Sequence, residues 1–172
     1  MGWIDWTLLA FVALNVVAAS SGAVFKPGAW YERLAKPSWN PPKWAFPVAW
    51  TIIFGFIAVA GAIAWRSGGG FAGAPVAMGL YLLQLVLNAA WSAIFFGMRR
   101  PDLAMLEVLA LWAAVAAATA AFFMVDPRAG WLMTVYLAWV TFAARLNHKI
   151  WRLNPDEKGQ PFDDVAAAGA RG

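Results

Sequence analysis

The chain has 172 residues, of which 62% are hydrophobic and 13% are charged, and its mean hydropathy is +0.62. Soluble domains carry roughly 25% charged residues, so this composition excludes a soluble globular domain. The absence of Cys excludes disulfides, thiolate metal sites and iron–sulfur clusters, and the single histidine, His148, cannot supply a multi-histidine metal site or paired haem ligands.

Long apolar segments dominate the sequence, and a membrane-spanning helix needs about 20 mostly apolar residues. The pattern predicts an all-α membrane protein, a bundle of five transmembrane helices over residues 4–24, 44–65, 76–97, 103–125 and 131–152. We interpret the first segment as a permanent span, because no Lys or Arg precedes it and Asp5 stands where a signal peptide is basic. The predicted transmembrane domain covers residues 1–155, and we expect the polar tail 156–172 to be disordered.

Basic residues are distributed unevenly between the two sides of these five spans. Of the 13 Lys and Arg residues, all except Arg66 and Arg128 fall on the side of the first long loop and the C-terminus. Cytoplasmic loops carry such an excess, so we predict that the C-terminus is cytoplasmic in a bacterial inner-type membrane. Because the basic residues lie at the ends of apolar segments, they mark topology and do not predict nucleic-acid binding.

The 12 tryptophans fall into two groups. One group lies at the predicted span ends and is typical of an interfacial aromatic belt: Trp3, Trp6, Trp44, Trp65, Trp131 and Trp151. The other group lies inside spans and needs a different explanation: Trp50, Trp91, Trp112 and Trp139.

Three spans place aromatic and amide side chains on one helical face each. These faces contain Phe46, Trp50 and Phe54; Gln84, Asn88, Trp91 and Phe95; and Trp139, Ala143 and Leu146. They could fill the bundle, with the amides bonding across helices. Equally, they could wall a flat apolar cavity for a large planar ligand. The acid Glu107, one turn into the fourth span, is either stabilised by the helix dipole or placed at the mouth of such a pocket.

The segment WYERLAKPSWNPPKW at residues 30–44 closely resembles the first loop of the TspO/MBR family, the translocator proteins or peripheral-type benzodiazepine receptors. The likeness continues in the family's order and spacing over about residues 1–155, through PVAWT at 47–51, QLVLNAAW at 84–91, FFG at 95–97, YLAW at 136–139 and LN at 146–147.

This resemblance implies a homodimeric five-helix bundle with a pocket capped by the first loop. It implies binding of porphyrins such as protoporphyrin IX, of cholesterol, and of isoquinoline-carboxamide or benzodiazepine drugs, with no required cofactor. The predicted ligand-binding residues are Ala23, Trp39, Phe46, Ala49, Trp50, Gln84, Asn88, Trp91, Leu103, Leu106, Glu107, Ala110, Trp139, Phe142, Ala143 and Leu146. Trp50 and Trp139 match tryptophans linked in bacterial relatives to light-dependent porphyrin breakdown.

Two departures from the family pattern bear on the ligand. His148 replaces the Tyr of the family's sterol motif, and Leu103 stands where mammalian relatives have Trp. We therefore expect planar tetrapyrroles to be preferred over sterols and drugs. Three functions stay open: a receptor, sensor or transporter for porphyrins; an enzyme that degrades them under light and oxygen; and a dimeric membrane scaffold packed through small residues such as Ala110, Ala114 and Ala118.

Overall fold

The computed structural model describes residues 5–159, which form helices joined by short connections. In chain order these are α1 Trp6–Val24, α2 Ala29–Arg33, α3 Ala45–Gly68, α4 Gly70–Gly73, α5 Pro75–Ser92, α6 Pro101–Val125 and α7 Pro127–Leu153. A π-helical turn, Ala93–Gly97, continues α5. Within the described residues, α1, α3, α5 with its π turn, α6 and α7 are long and apolar enough to cross a membrane, which confirms the predicted five-helix bundle.

The helix ends follow from local chemistry. Asp5 caps α1 by accepting a hydrogen bond from Leu8 N at 3.1 Å. At the α6–α7 junction Asp126 ends one helix and caps the next, accepting from Arg128 N at 2.9 Å, so α7 begins four residues earlier than predicted. The Arg128 guanidinium and the Ser67 hydroxyl, both hydrogen-bonded to Asp126, hold the pKa of its carboxyl below its usual range.

The five long helices form a closed ring in the order α1, α3, α7, α6, α5, with α5 returning to α1. Tyr81, Phe122 and Tyr136 are fully buried inside this ring. On α3, the run Ala60, Gly61, Ala62 and Ala64 lets neighbouring helices approach closely, as small residues do in membrane bundles. Gly61 is in contact with Phe11 and Tyr81, whose rings meet edge-to-face at 5.0 Å.

At one end of the ring the first loop packs over the bundle. Trp30, Tyr31 and Leu34 of this loop are buried against Phe95 and against Leu146 and Ile150 of α7. Residues 154–159 continue past α7 as turns; the rest of the predicted polar tail, 160–172, lies outside the described residues, as do residues 1–4 with Trp3. At other helix ends, Trp6, Trp44 and Trp131 are exposed.

Candidate ligand-binding site

A cavity of about 980 Å³ lies beneath the first loop, inside the half of the ring nearest to it. All five long helices and the loop contribute to its wall. Its volume is at the upper end of the range of small-molecule sites, about 300–1,000 Å³. The space is therefore large enough for a ligand with several fused or linked rings.

The wall formed by α3 and α7 is aromatic. Phe46, Trp50 and Phe54 recur every four residues on α3 and so share one face. Trp139 of α7 meets the Trp50 ring edge-to-face at 6.1 Å and the Phe46 ring at 6.4 Å. The indole nitrogen of Trp139 is buried and donates to no acceptor within residues 5–159. Such a donor loses its hydrogen bond to water with no replacement, at a cost of about 1–3 kcal/mol.

The α5 wall combines rings with amides that already have partners. Asn88 donates from Nδ2 to the Tyr136 hydroxyl at 2.9 Å, which ties α5 to α7. Trp91 donates from its indole nitrogen to Asn147 Oδ1 at 3.2 Å and stacks on Phe95 at 5.0 Å. The π turn begins just after these residues. Single π turns recur at functional sites, and here one carries Phe95 into the cavity wall.

The loop that covers the cavity is attached to the C-terminal end of the bundle. The Asn154 side chain accepts from Ala35 N and donates to Ala35 O, both at 2.9 Å. Trp30 donates from its indole nitrogen to Glu157 Oε2 at 2.9 Å, and its ring lies 5.9 Å from that of Phe95. These contacts connect parts of the chain about 120 residues apart and hold the first loop in place over the cavity.

We predict that Asn154→Ala loosens this cover without unfolding the bundle, because it removes both hydrogen bonds to Ala35. Each such bond contributes about 1 kcal/mol, so amide protection across residues 29–35 should fall by roughly tenfold or more. Hydrogen–deuterium exchange with mass spectrometry measures this. Asn40→Ala is the control, since the Asn40 side-chain amide donates to the carbonyl of its neighbour Pro41 and does not connect the loop to α7. Equal amide protection across residues 29–35 in the two variants would contradict the attachment of the first loop through Asn154.

Cations lie where the loop meets the cavity. Lys36 donates to the backbone carbonyls of Glu32 and Leu34 at 3.2 and 3.1 Å and lies over the Tyr31 ring at 4.5 Å. Partial burial lowers the pKa of the Lys36 ammonium, and burial also raises the pKa of the Tyr31 hydroxyl. Lys43 pairs with Glu32 at 2.7 Å and is largely exposed. Lys36 also donates to the Tyr31 carbonyl, and Glu32 lines the cavity beside both lysines. The mouth of the cavity therefore carries two ammonium groups and one carboxylate above an apolar interior.

Half of the predicted ligand-binding residues lie on the cavity wall. They are Ala23, Phe46, Trp50, Asn88, Trp91, Trp139, Ala143 and Leu146. They come from α1, α3, α5 and α7, and each was predicted either from a shared helical face or from the resemblance. Asn88 fits both roles considered for the amide side chains in the spans. It donates a hydrogen bond across helices to Tyr136, and it also lines the cavity.

The four ligand-binding residues predicted on α6 lie away from the cavity wall. Leu103, Leu106, Glu107 and Ala110 do not line the cavity, and Leu106 is 67% exposed on the outside of the ring. The inward face of α6 instead carries Ala104, Val108 and Leu111, of which Val108 and Leu111 reach the wall. Both stripes have helical spacing, and only packing against α5 and α7 decides which one turns inward. Glu107 is half-buried, and neither of its carboxylate oxygens has a hydrogen-bond partner in the described chain.

Four further predicted residues lie next to the wall without forming part of it. Ala49 is half-buried on α3, beside the lining residue Trp50. Gln84 is completely buried and donates to the Tyr81 carbonyl at 3.0 Å. Phe142 packs on the Trp139 ring at 5.4 Å and on Trp39 at 5.9 Å. Trp39 itself faces a groove on the outside of the bundle.

Several residues that shape the site were missed by sequence reasoning. Asn147, 1% exposed, holds Trp91 and donates to the Pro101 carbonyl at 2.9 Å. Asn147 belongs to the LN pair at 146–147. An amide side chain inside an apolar span indicates a buried hydrogen-bonding residue, and this signal could have identified Asn147. The local sequence did not indicate the roles of Lys36, Asn154 and Glu157. Their hydrogen-bond partners are backbone carbonyls or residues far away in the sequence.

The fold and the cavity define an integral, multi-pass membrane protein with an aromatic-walled internal space under a loop. The sequence profile of the TspO/MBR family matches residues 8–152, and the chain belongs to this family.

Named relatives come from bacteria and mammals. The chain is 42% identical over 152 residues to the tryptophan-rich sensory protein of Cereibacter sphaeroides, covering 87% of this chain and 93% of the relative. It is 41% identical over 143 residues to protein CrtK of Rhodobacter capsulatus, covering 82% and 88%. It is also 40% identical over 131 residues to the human translocator protein, covering 76% and 78%.

Proposed function

We propose that this protein is a membrane receptor or sensor that binds a planar tetrapyrrole, such as protoporphyrin IX, in the cavity beneath the first loop. One observation carries the proposal: the Trp139 indole N–H lies buried beside Trp50, in an apolar cavity of about 980 Å³, and has no hydrogen-bond partner in the described part of the chain. A ligand with a large flat apolar body and an acceptor near Trp139 fills the volume and satisfies the donor.

The charges at the mouth support an acidic edge on this ligand. Lys36 and Lys43 both line the cavity where it meets the loop, while Phe46, Trp50 and Trp139 supply apolar walls below. Protoporphyrin IX is a flat macrocycle with two carboxylates on one edge. With its macrocycle among the rings, one carboxylate would reach an ammonium group at the mouth and the other would accept from the Trp139 N–H, an arrangement that suits charge-assisted hydrogen bonds.

The Trp139 donor can be tested apart from the size of the cavity. Trp139→Phe keeps an aromatic ring but removes the N–H, so we predict about fivefold weaker binding of protoporphyrin IX. Binding of perylene, a planar hydrocarbon without acceptors, should change less than twofold. Ligand fluorescence titration in detergent measures both affinities. Trp131→Phe, at an exposed position away from the cavity, is the control. Failure of the wild-type protein to bind protoporphyrin IX would overturn the proposal.

A second candidate function is porphyrin breakdown under light and oxygen. The close pair of Trp50 and Trp139, with ring centroids 6.1 Å apart, favours it because both indoles would adjoin the bound macrocycle. Loss of porphyrin absorbance under illumination should then be faster with protein than with free porphyrin. It should slow in Trp50→Phe/Trp139→Phe at equal ligand occupancy. Equal rates with and without protein would exclude this activity.

A further inference from the structure

A groove of about 560 Å³ runs along the outside of the bundle between α6 and α7. Met105 and Leu109 of α6 and Ala144 of α7 form its apolar floor. Trp112 and Thr141 also line it and are joined by a hydrogen bond from the Trp112 indole nitrogen to the Thr141 hydroxyl at 2.8 Å. This groove is separate from the central cavity, whose wall shares no residue with it.

The rim of the groove is basic. Arg145, His148 and Lys149 of α7 line it, and Trp39 of the first loop closes the same end. Arg145 and Lys149 are one turn apart and exposed. Within residues 5–159, neither forms an ion pair with an acidic side chain. Among the residues that the structure describes, no acidic side chain lines the groove.

The depth of the groove matches one lipid leaflet. Eight residues of α7 separate Thr141 from Lys149, which corresponds to about 12 Å along the helix axis. Half of a bilayer's hydrocarbon core is about 15 Å thick. Because Arg145 and Lys149 lie near the loop end of the last spanning helix, their side chains can reach the headgroup level while the floor faces acyl chains.

From this arrangement we infer that the groove between α6 and α7 is a binding site for an anionic phospholipid. The anionic phosphate of the headgroup lies between Arg145 and Lys149, and an acyl chain lies along Leu109 and Ala144 toward the Trp112–Thr141 pair. A sterol carries no charge that could pair with Arg145 and Lys149. A soluble anion has no apolar chain that could contact the floor of the groove. Charge and depth together therefore select a lipid that is both acidic and long-chained.

Native mass spectrometry of the full chain, exchanged from detergent into defined lipids, tests this inference. Phosphatidylglycerol and phosphatidylcholine with identical acyl chains are compared at equal concentration. We expect one phosphatidylglycerol per chain to be retained, at an affinity roughly tenfold or more above that of phosphatidylcholine. Arg145→Gln/Lys149→Gln should abolish this preference, whereas the charge-conserving Arg145→Lys/Lys149→Arg should keep most of it and so report on folding.

The matched control removes two charges elsewhere on the same side of the membrane. Lys26→Gln/Arg152→Gln changes exposed cations that do not line the groove, and it should leave the preference unchanged. An equal loss of the phosphatidylglycerol preference in this control would show diffuse attraction to anionic headgroups. That result would overturn the proposed lipid site. Equal retention of both lipids by the wild-type chain would also overturn it, as would a second copy of the chain found cross-linked through Thr141 and Lys149 positions.

Discussion

Trp50→Ala/Trp139→Ala is expected to weaken protoporphyrin IX binding by roughly 100-fold, which corresponds to about 3 kcal/mol. The two indoles meet at 6.1 Å on adjacent helices and form the aromatic wall shared by α3 and α7. Truncating both removes large apolar contact areas from a planar ligand together with the Trp139 N–H donor. The loss should extend to perylene, because the missing wall serves any flat guest.

Trp6→Ala/Trp131→Ala is the matched control for that measurement. Both residues are exposed, at 72% and 66%, and neither lines the cavity. This control removes the same number of indoles, so it corrects for the general loss of tryptophan fluorescence and for altered contact with detergent. An affinity in the cavity variant within threefold of the control would place the porphyrin elsewhere.

Gly61→Val is expected to destabilise the bundle by about 2–3 kcal/mol, because the site has no room for a side chain. A Cβ atom at Gly61 would lie 2.5 Å from Phe11 Cδ1 and 2.8 Å from Tyr81 Cε2. Those rings belong to α1 and α5, so relief requires movement of two helices against α3. The free energy of unfolding can be measured by SDS titration in mixed micelles, followed by circular dichroism.

Gly55→Val provides the comparison on the same helix. In the part of the chain that the structure describes, nothing lies within 4 Å of a Cβ atom placed at Gly55, so this substitution should change the free energy of unfolding by less than about 1 kcal/mol. The two variants add the same side chain to the same helix and differ only in what it meets. Similar destabilisation in both would mean that helix propensity, and not the approach of Phe11 and Tyr81, sets the cost.

The membrane class, the five spans and the family resemblance could all be predicted from the order of residues alone. Apolar length is a local property, so α1, α3, α5, α6 and α7 were predicted with their ends within about four residues. The indole faces on α3 and α7 were also predictable, because residues four apart share one side of a helix whatever surrounds it. The short helix Ala29–Arg33 was missed, since five residues are too few for a periodic signal.

Which helix faces meet depends on how the helices pack against one another. On α6 the stripe of Leu103, Leu106 and Ala110 is as regular as that of Ala104, Val108 and Leu111, and in an apolar span hydropathy does not distinguish the side facing lipid from the side facing protein. Packing against α5 and α7 turns the stripe of Ala104, Val108 and Leu111 toward the inside of the bundle. The attachment of the loop through Asn154 and Glu157 likewise depends on chain closure over about 120 residues, which local pattern does not encode.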